Sequence, residues 1–450
     1  MNILVVGAGK VGASLVENFI AEGHDVSVVD NDASVVEALV NKFDVQGFVG
    51  SGVERDTLIE AGADKSDFFI ACTSRDELNV LCSVLAKKVG AKYTIARVRT
   101  PEYFNEIETL KRDLGIDMLF NPEYRTAIEI ANLLKYPSSK SVESFSSGKA
   151  VMVEFEVDKD NQMADKTIIG IAKEYRGKVL FAMVYRNGKV YIPKGDFVIK
   201  EGDRVYVIST DTEITVFCKS MRIFKRQAKS VFIVGGGMIA FYLSKLLKES
   251  KSAIKIVEHN YDRCNELAEQ LNGVNVVYGD ATDEEVLLEE GLEKSDACVT
   301  LTGKDEENVI ISMYAQQIGV DKVITKVDRP TIMGMLNTLS LDSVISSKNV
   351  IANHIIKFVR SRSVESDSEM NEFYKLDGGA EAIEFSVSET FEGLNVPIKN
   401  LKIKRNVILG GIIRNDEYIL PTGDETLQIG DKVLAVTTLS GITMLSEIVG

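Results

Sequence analysis

Two glycine-rich loops carry the residue types that bind nucleotides. The first reads Gly7-Ala8-Gly9-Lys10-Val11-Gly12, after a short hydrophobic strand and before a helix pattern. Gly7 permits a tight turn, Gly9 lets backbone N–H groups approach a pyrophosphate, and Gly12 lets the helix pack against the sheet. The helix N-terminus offers unpaired donors and positive potential to an anion. The loop therefore predicts a phosphate cradle.

An acidic residue completes this first cradle. Asp30 ends the second predicted strand, 18 residues after Gly12. Its carboxylate can accept hydrogen bonds from adjacent ribose hydroxyls and would repel a 2′-phosphate, which favours NAD(H) over NADP. The alternative is a glycine-rich turn that binds no ligand.

The same pattern recurs 228 residues later as Gly235-Gly236-Gly237-Met238-Ile239-Ala240. Ala240 stands at the third glycine position, which the motif tolerates. Glu258 takes the place of Asp30 and has a longer reach. The repeat predicts a second, weaker nucleotide cradle; the alternative is a degenerate copy kept for packing and symmetry.

Polar residues follow the third and fourth strands of each copy. Ser51 and Thr73 lie there in the first copy, and Asp280 and Thr302 in the second. Because ligands bind at the carboxyl ends of parallel strands, all four are candidate binding residues. Helix capping is the alternative for Ser51, Thr73 and Thr302.

Two arginines alternate with Val98 near the end of the fifth strand. The two-residue period places Arg97 and Arg99 on one face, where their planar forks suit phosphates. Ion pairs with acidic residues are the alternative. In the second copy Lys326 and Asp328 replace them, so we expect a ligand bound differently or carrying less charge.

Catalytic and metal-binding patterns are missing from the sequence. His24, His259 and His354 are far apart and have no metal-ligand spacing. The five cysteines form no Cys-x-x-Cys pair and are expected to be free, buried thiols. We therefore predict no catalytic residue and no metal site.

The elements that position these residues alternate in type. Over residues 1 to about 135, short Val/Ile-rich strands alternate with helices such as Val11–Ala21 and Glu77–Lys88, the latter opened by a capping box at Ser74. This alternation predicts a doubly wound parallel sheet. The pattern returns in the second copy.

A smaller β-rich unit follows each copy, at about 150–218 and 379–450. In the first, Val151–Val157 reads as a half-exposed strand, Asn187-Gly188 as a two-residue hairpin turn, and Gly202-Asp203 precedes a final strand. The fold class is thus α/β: two Rossmann-like domains, each followed by a small α+β domain.

Composition limits the classes of function. The 450 residues carry a formal charge of −15, which argues against binding to nucleic acid or to an anionic membrane surface. The first residues read as a strand rather than a secretory signal, and no apolar run is long enough to span a membrane. We expect a cytoplasmic protein that reaches a membrane only through a partner.

These tandem motifs resemble the TrkA family of potassium-uptake regulators and, more broadly, RCK domains, which combine KTN and TrkA-C parts. The resemblance covers essentially the whole chain. It implies domains at 1–136, 140–222, 229–361 and 367–450, separated in part by linkers within Lys219–Lys229 and Ser361–Glu372. It also implies NAD(H), or ATP/ADP as the alternative adenine ligand, at the glycine loops.

The resemblance further implies a non-catalytic regulatory subunit. Its copies would form a ring, a tetramer by this expectation, on the inner face of the membrane against a potassium-translocating subunit similar to TrkH. Two alternatives stay open: an NAD-dependent oxidoreductase, and a regulator whose effector binds the small domains. The helices near 123–135 and 347–360 carry apolar stripes that would couple domains, dimerise, or close their own cores.

Overall fold

The computed structural model describes residues 1–101, 107–159, 161–175, 178–223, 228–329, 331–333, 341–362 and 370–449. Within them, two six-stranded parallel sheets alternate along the chain with two five-stranded antiparallel sheets. The predicted fold class is confirmed. Residues 224–227 and 363–369 of the two predicted linkers lie outside the described residues.

The first parallel sheet has the strand order third, second, first, fourth, fifth, sixth. Its strands are β1 Asn2–Val6, β2 Asp25–Asp30, β3 Gln46–Val49, β4 Phe68–Ala71, β5 Tyr93–Arg97 and β6 Met118–Phe120. Its helices are α1 Lys10–Ala21, α2 Ala33–Lys42, α3 Arg55–Glu60, α4 Asp76–Val89, α5 Ile107–Leu114 and α6 Pro122–Lys135. The order reverses between β1 and β4, which opens a crevice at their carboxyl ends.

The first antiparallel sheet has the order β10-β9-β11-β8-β7. Its elements are β7 Ser141–Phe145, β8 Ala150–Glu156, α7 Ile168–Tyr175, β9 Leu180–Arg186, β10 Lys189–Tyr191, β11 Arg204–Ser209 and α8 Asp211–Ser220. Asn187 and Gly188 both have positive φ, 51° and 77°, as a two-residue hairpin turn requires. The predicted hairpin is confirmed.

The second parallel sheet repeats the first in strand order. Its strands are β12 Ser230–Val234, β13 Ala253–Glu258, β14 Asn275–Tyr278, β15 Ala297–Thr300, β16 Lys322–Lys326 and β17 Ser343–Ile345. Its helices are α9 Met238–Glu249, α10 Tyr261–Gln270, α11 Glu284–Glu289 and α12 Asp305–Gln317, and α13 Ser347–Arg362 follows.

The second antiparallel sheet contains β18 Met370–Lys375, β19 Glu381–Ser386, β20 Val407–Arg414, β21 Glu417–Ile419 and β22 Lys432–Thr437. Both antiparallel sheets use one ionic clamp. The Arg186 guanidinium donates twice to buried Asp203, at 2.6 Å each, and Arg414 does the same to Asp431 at 2.8 and 2.7 Å. This clamp explains the repeated Gly-Asp pair, since the aspartate must lie inside the fold.

Helix α13 belongs to the second copy in sequence but packs on the first parallel sheet. The chain divides into two units, one of residues 1–126 with 346–359 and one of residues 127–345 with 360–450. Within the first unit, the Phe358 ring meets those of Phe68 and Tyr93 edge-on, at 6.2 and 6.4 Å. Of the alternatives raised for this helix, closing only the core of its own copy is therefore wrong.

The segment after α6 is held by the second copy in a similar way. Fully buried Lys322, the first residue of β16, donates from its ammonium to the Ser139 carbonyl at 2.7 Å. Tyr93 occupies the matching position in the first copy. A buried ammonium thus replaces an aromatic contact at this position of the repeat.

Burial differs from the prediction for strand β8. Only its last residue, Glu156, is exposed, and Glu154 is buried, accepting hydrogen bonds from Arg204 and Ser141. The expectation of a half-exposed strand is wrong because the opposite face also packs in a core, which includes Met152, Ala382 and Val436.

Among the described residues, no helix has both the length and the apolar character needed to cross a bilayer.

Candidate functional site

The first glycine loop lies between β1 and α1 at the reversal point of the sheet. Gly7 has φ +95°, and a Cβ there would approach the Thr73 backbone nitrogen to 2.7 Å. A Cβ on Gly12 would lie 1.9 Å from the Gly7 carbonyl oxygen. Both positions therefore require glycine for packing within the free protein.

Gly9 differs from the other two glycines. A Cβ on Gly9 would meet no atom within 4 Å, so it would project into open space at the start of α1. No side chain caps this helix start, and no acidic residue lies in its first turn, within the residues the structure describes. The open space and uncapped amides fit an anion, which a larger residue at Gly9 would displace.

Asp30 lies against this loop. One of its carboxylate oxygens accepts from the Ala8 amide at 2.6 Å, and the other accepts from the Asp32 amide at 3.0 Å. The carboxylate is thereby fixed beside the loop, and its remaining lone pairs can still accept from hydroxyl groups. This geometry fits the predicted ribose contact.

Cys72 supports the loop from below. Its thiol donates to the Gly7 carbonyl at 3.2 Å. Burial raises the thiol pKa to about 12, the Arg97 charge lowers it, and the Asp30 charge raises it again. Cys72 is thus a packed, unreactive thiol. The charges of Arg97 and Asp30 both act on it.

The two candidate arginines have carboxylate partners. Arg97 donates to Glu123 at 2.8 Å, and the Arg99 Nε lies 3.6 Å from Asp76. Ion pairing, the alternative raised from the sequence, is therefore present, and phosphate binding stays a prediction. Among the described residues, Nε of Arg97 is buried with no acceptor, which leaves one donor for a further group.

Asp76 contradicts the predicted capping box. Helix α4 begins at Asp76 with Arg75 as an uncapped N-cap, and the Ser74 side chain does not cap it. The Asp76 carboxylate instead accepts from the Arg99 and Thr100 amides, both at 2.8 Å. Burial raises its pKa, but the hydrogen bonds from Thr100 and Arg99 outweigh burial and hold the pKa below its usual value.

Thr73 and Ser51 stabilise loops rather than helix starts. Thr73 uses its amide and hydroxyl to donate to the Asn79 side chain, both at 2.7 Å. The Ser51 hydroxyl accepts from the Val53 amide at 3.4 Å. Neither residue is the N-cap of a described helix, so the helix-capping alternative is wrong for both.

The second loop repeats the backbone geometry of the first. Gly235 has φ +96°, and a Cβ on Gly237 would also meet nothing within 4 Å. Glu258 accepts from the Gly236 amide at 2.6 Å and from the Asn260 amide at 2.8 Å. Glu258 is 7% exposed, so less of its carboxylate is free to bind a ligand.

Arg263 is a feature of the second loop alone. Its Nε donates to the Gly236 carbonyl at 2.8 Å, and its position corresponds to Val35 in the first copy. Lys326 lies 3.7 Å from Asp328, so these two charges neutralise each other. The second cradle therefore lacks the paired guanidinium groups of the first.

The remaining candidates of the second copy hold loops. Two hydrogen bonds from Thr282, at 2.9 and 2.7 Å, lower the pKa of the Asp280 carboxyl. The Thr302 amide donates to Asn308 at 2.8 Å, as the Thr73 amide does to Asn79. Lys304 is the N-cap of the following helix, so the capping alternative is wrong for Thr302 as well.

Two pairs of structural residues near the cradles were not predicted from the sequence. The fully buried amides Asn79 and Asn308 each link the loop after the fourth strand to the fifth strand, through the Arg97 and Lys326 carbonyls at 3.0 Å. Asp305 repeats Asp76 and accepts from the two amides after its own fifth strand. Both pairs recur 229 residues apart, so a position-by-position comparison of the copies would have revealed them.

Two further features of the described part of the chain are its possible metal ligands and its cysteine thiols. Within it, no group of three or more histidine, cysteine, aspartate or glutamate side chains is placed to hold a metal ion. The five cysteines are free and buried, as expected from the sequence.

Fold and site together define a tandem protein in which two Rossmann-like domains with glycine-loop cradles are each followed by a small antiparallel domain. The family model for the TrkA-N domain matches residues 3–122 and 231–347, and the model for the TrkA-C domain matches residues 152–222 and 383–450. The chain belongs to the TrkA family, with both domains present twice.

Known proteins resemble the chain over most or all of its length. The Trk system potassium uptake protein TrkA homolog of Archaeoglobus fulgidus is 33% identical over 449 residues, which covers 100% of both chains. Among solved structures, the GsuK channel bound to NAD has a TM-score of 0.64 at 17% identity and covers 99% of this chain and 78% of its own. GsuK bound to ADP has a TM-score of 0.52 at 15% identity, with 80% and 69% covered. The two GsuK structures show that the fold is shared.

Proposed function

We propose that this protein is a nucleotide-sensing regulatory subunit of a potassium uptake system. The observation that carries the proposal is the open cradle at Gly9, with Asp30 fixed beside it, on a fold repeated in tandem. The relative from Archaeoglobus fulgidus, named a potassium uptake protein, supports the potassium system.

The ligand of the first cradle is NAD(H), or ATP/ADP as the alternative. The residues that hold it are Gly7, Ala8, Gly9, Lys10, Val11 and Gly12 for the phosphates and Asp30 for the ribose. Ser51, Thr73, Arg97 and Arg99 complete the proposed first site. Gly235, Gly236, Gly237, Met238, Ile239, Glu258, Asp280 and Thr302 form the second site. GsuK structures bound to NAD and to ADP support both kinds of ligand for this fold.

Binding acts on the partner by differential affinity. A nucleotide shifts a conformational equilibrium only as far as it prefers one state, and such coupling is about 1–3 kcal/mol per site. Several sites in a ring of copies, a tetramer in our proposal, reach the roughly 5.5 kcal/mol that a near-complete switch requires. The proposed location is the cytoplasmic side of the membrane, bound to a TrkH-like potassium-translocating subunit.

Potassium flux tests this function. Proteoliposomes that contain a TrkH-like subunit are loaded with potassium and assayed with and without this protein, NADH and ATP. We expect flux to change with nucleotide only when the protein is present. Potassium flux that does not change with nucleotide when this protein is present would refute the regulatory role.

The oxidoreductase alternative has its own test. Turnover would require a placed acid or base beside the nicotinamide. After incubation with NAD and a panel of alcohols, the molar amount of NADH formed should not exceed the molar amount of protein. Reduction beyond that stoichiometry, abolished in Asp30→Ala, would establish an enzyme instead.

A further inference from the structure

Two exposed tyrosines contact each other at the carboxyl edge of the second parallel sheet. Tyr261 opens helix α10 and Tyr278 ends strand β14. Their ring centroids lie 5.7 Å apart at an interplanar angle of 89°. Both remain largely in solvent, 62% and 61% exposed. Large aromatic rings left in solvent as a contacting pair mark a binding surface.

Sheet register places this pair beside the second cradle. Tyr278 pairs with Glu258 across the parallel strands β13 and β14, so the two side chains leave the same face about 4.8 Å apart. Glu258 in turn accepts from the Gly236 amide at 2.6 Å. Tyr261 follows Glu258 by three residues. Loop, acid and aromatic pair therefore form a continuous series along one edge of the sheet.

The connectivity of a nucleotide matches this series. Its phosphates lie at the glycine loop and its ribose at the acid, so the base must extend beyond the acid. Beyond Glu258 the neighbouring strand is β14, which ends in Tyr278. Aromatic rings bind nucleobases by stacking on their faces, and a tyrosine hydroxyl can also bond to the base edge.

The first copy lacks this feature. Val49 pairs with Asp30 in the register that Tyr278 has with Glu258, and Ala33 stands where the second copy has Tyr261. The difference complements the donors available, because Lys326 and Asp328 pair with each other in the second copy, whereas in the first the buried Nε of Arg97 has no acceptor among the residues the structure describes. A cradle with weaker phosphate contacts gains from contact with the base.

We propose that Tyr261 and Tyr278 form a stacking platform for the purine base of an adenine nucleotide bound at the second cradle. The proposal rests on the nucleotide-binding function proposed above. It makes second-site affinity depend on the base, whereas first-site affinity depends mainly on phosphate and ribose contacts.

The experiment uses the full chain with Gly9→Val, which silences the first cradle. ADP and inorganic pyrophosphate are titrated by calorimetry into this protein and into versions carrying Tyr278→Ala, Tyr278→Phe or Tyr261→Ala. Val49→Ala, the matched position of the first copy, is the control. The chain has no tryptophan, so tyrosine fluorescence gives an independent signal of stacking.

We expect Tyr278→Ala to weaken ADP binding about 10-fold, with Tyr261→Ala smaller and Tyr278→Phe and Val49→Ala near the parent. Pyrophosphate affinity should not change. Unchanged ADP affinity in both alanine variants would overturn the platform and leave the cradle intact. A parent that binds no ADP would instead refute nucleotide binding at the second cradle, and the platform with it. Both tyrosines are exposed, so unchanged melting temperatures should confirm folding.

Discussion

The two cradles share a backbone and differ in side chains. Gly7 and Gly235 have φ values of 95° and 96°, and the distance from the acid to the loop amide is 2.6 Å in both. Around this backbone the first copy places Arg97, whereas the second places Arg263. Duplication thus preserved the loop geometry while the surrounding residues diverged. In the proposed function, these surrounding residues set which ligand each cradle prefers.

The largest expected effect comes from filling either cradle. Gly9→Val should weaken nucleotide affinity at the first cradle on the order of 100-fold, and Gly237→Val should do the same at the second. Two or more charge-assisted hydrogen bonds are lost in each case. A Cβ at either glycine meets nothing within 4 Å, so the fold should be unaffected. Each variant is the matched control for the other, with stoichiometry read by calorimetry. Unchanged stoichiometry in Gly9→Val would show that the first cradle is not a nucleotide site.

The next largest effect is expected from removing the basic member of an ion pair in each copy. Arg97 and Glu123 are only 13% and 18% exposed, so Arg97→Ala leaves a nearly buried carboxylate alone and should cost about 3 kcal/mol of unfolding free energy. Lys326→Ala should cost less, about 1 kcal/mol, because Asp328 is 23% exposed and 3.7 Å away. Denaturant unfolding measures both.

The double variant Arg97→Ala/Glu123→Ala controls for the ion pair. It should recover most of the stability lost in Arg97→Ala, since the lone charge is gone. If it also binds NADH as tightly as wild type, Arg97 does not contact phosphate and acts only as a partner of Glu123.

The third glycine position tests packing. A Cβ on Gly12 would lie 1.9 Å from the Gly7 carbonyl oxygen, so Gly12→Ala should destabilise the fold by about 2 kcal/mol. The second copy has Ala240, fully buried, at the matching position. Ala240→Gly should cost about 1 kcal/mol, mainly through helix propensity. Equal, negligible costs in thermal unfolding would contradict the packing role given to Gly12.

The acids give the smallest predicted effect. With the second cradle silenced by Gly237→Val, Asp30→Asn should weaken NADH binding roughly 10-fold and narrow the preference for NADH over NADPH. Glu258→Gln should change affinity less, because Glu258 is only 7% exposed and less of its carboxylate can reach a ligand. Competition binding with NADPH checks the preference. Wild type that binds NADPH as tightly as NADH would contradict the role given to Asp30.

Features that depend on neighbouring residues could be predicted from the sequence. The strand, glycine loop and helix around Gly9 and the turn at Asn187 are of this kind, and the structure has them as expected. Contacts between distant segments were missed or misread. Asp76 binds the loop after β5 rather than capping its helix, and Phe358 packs on a sheet nearly 300 residues earlier in the chain. Periodicity shows which face of an element is apolar but not which surface will cover it.

Exposure of charged residues was the other limit. Glu154 reads as a solvent-facing position in an alternating strand, but a second β-sheet covers that face, and Arg204 and Ser141 bind the carboxylate there. Nucleotide binding by the site residues stays a prediction.

The most direct test of the account is the number of adenine nucleotides that one wild-type chain binds at equilibrium. Calorimetric titrations with NADH, NAD, ADP and ATP should give two sites per chain with unequal dissociation constants, one lost in Gly9→Val and the other in Gly237→Val. A chain that binds none of these nucleotides at millimolar concentration would contradict the claim that its glycine loops are sensors.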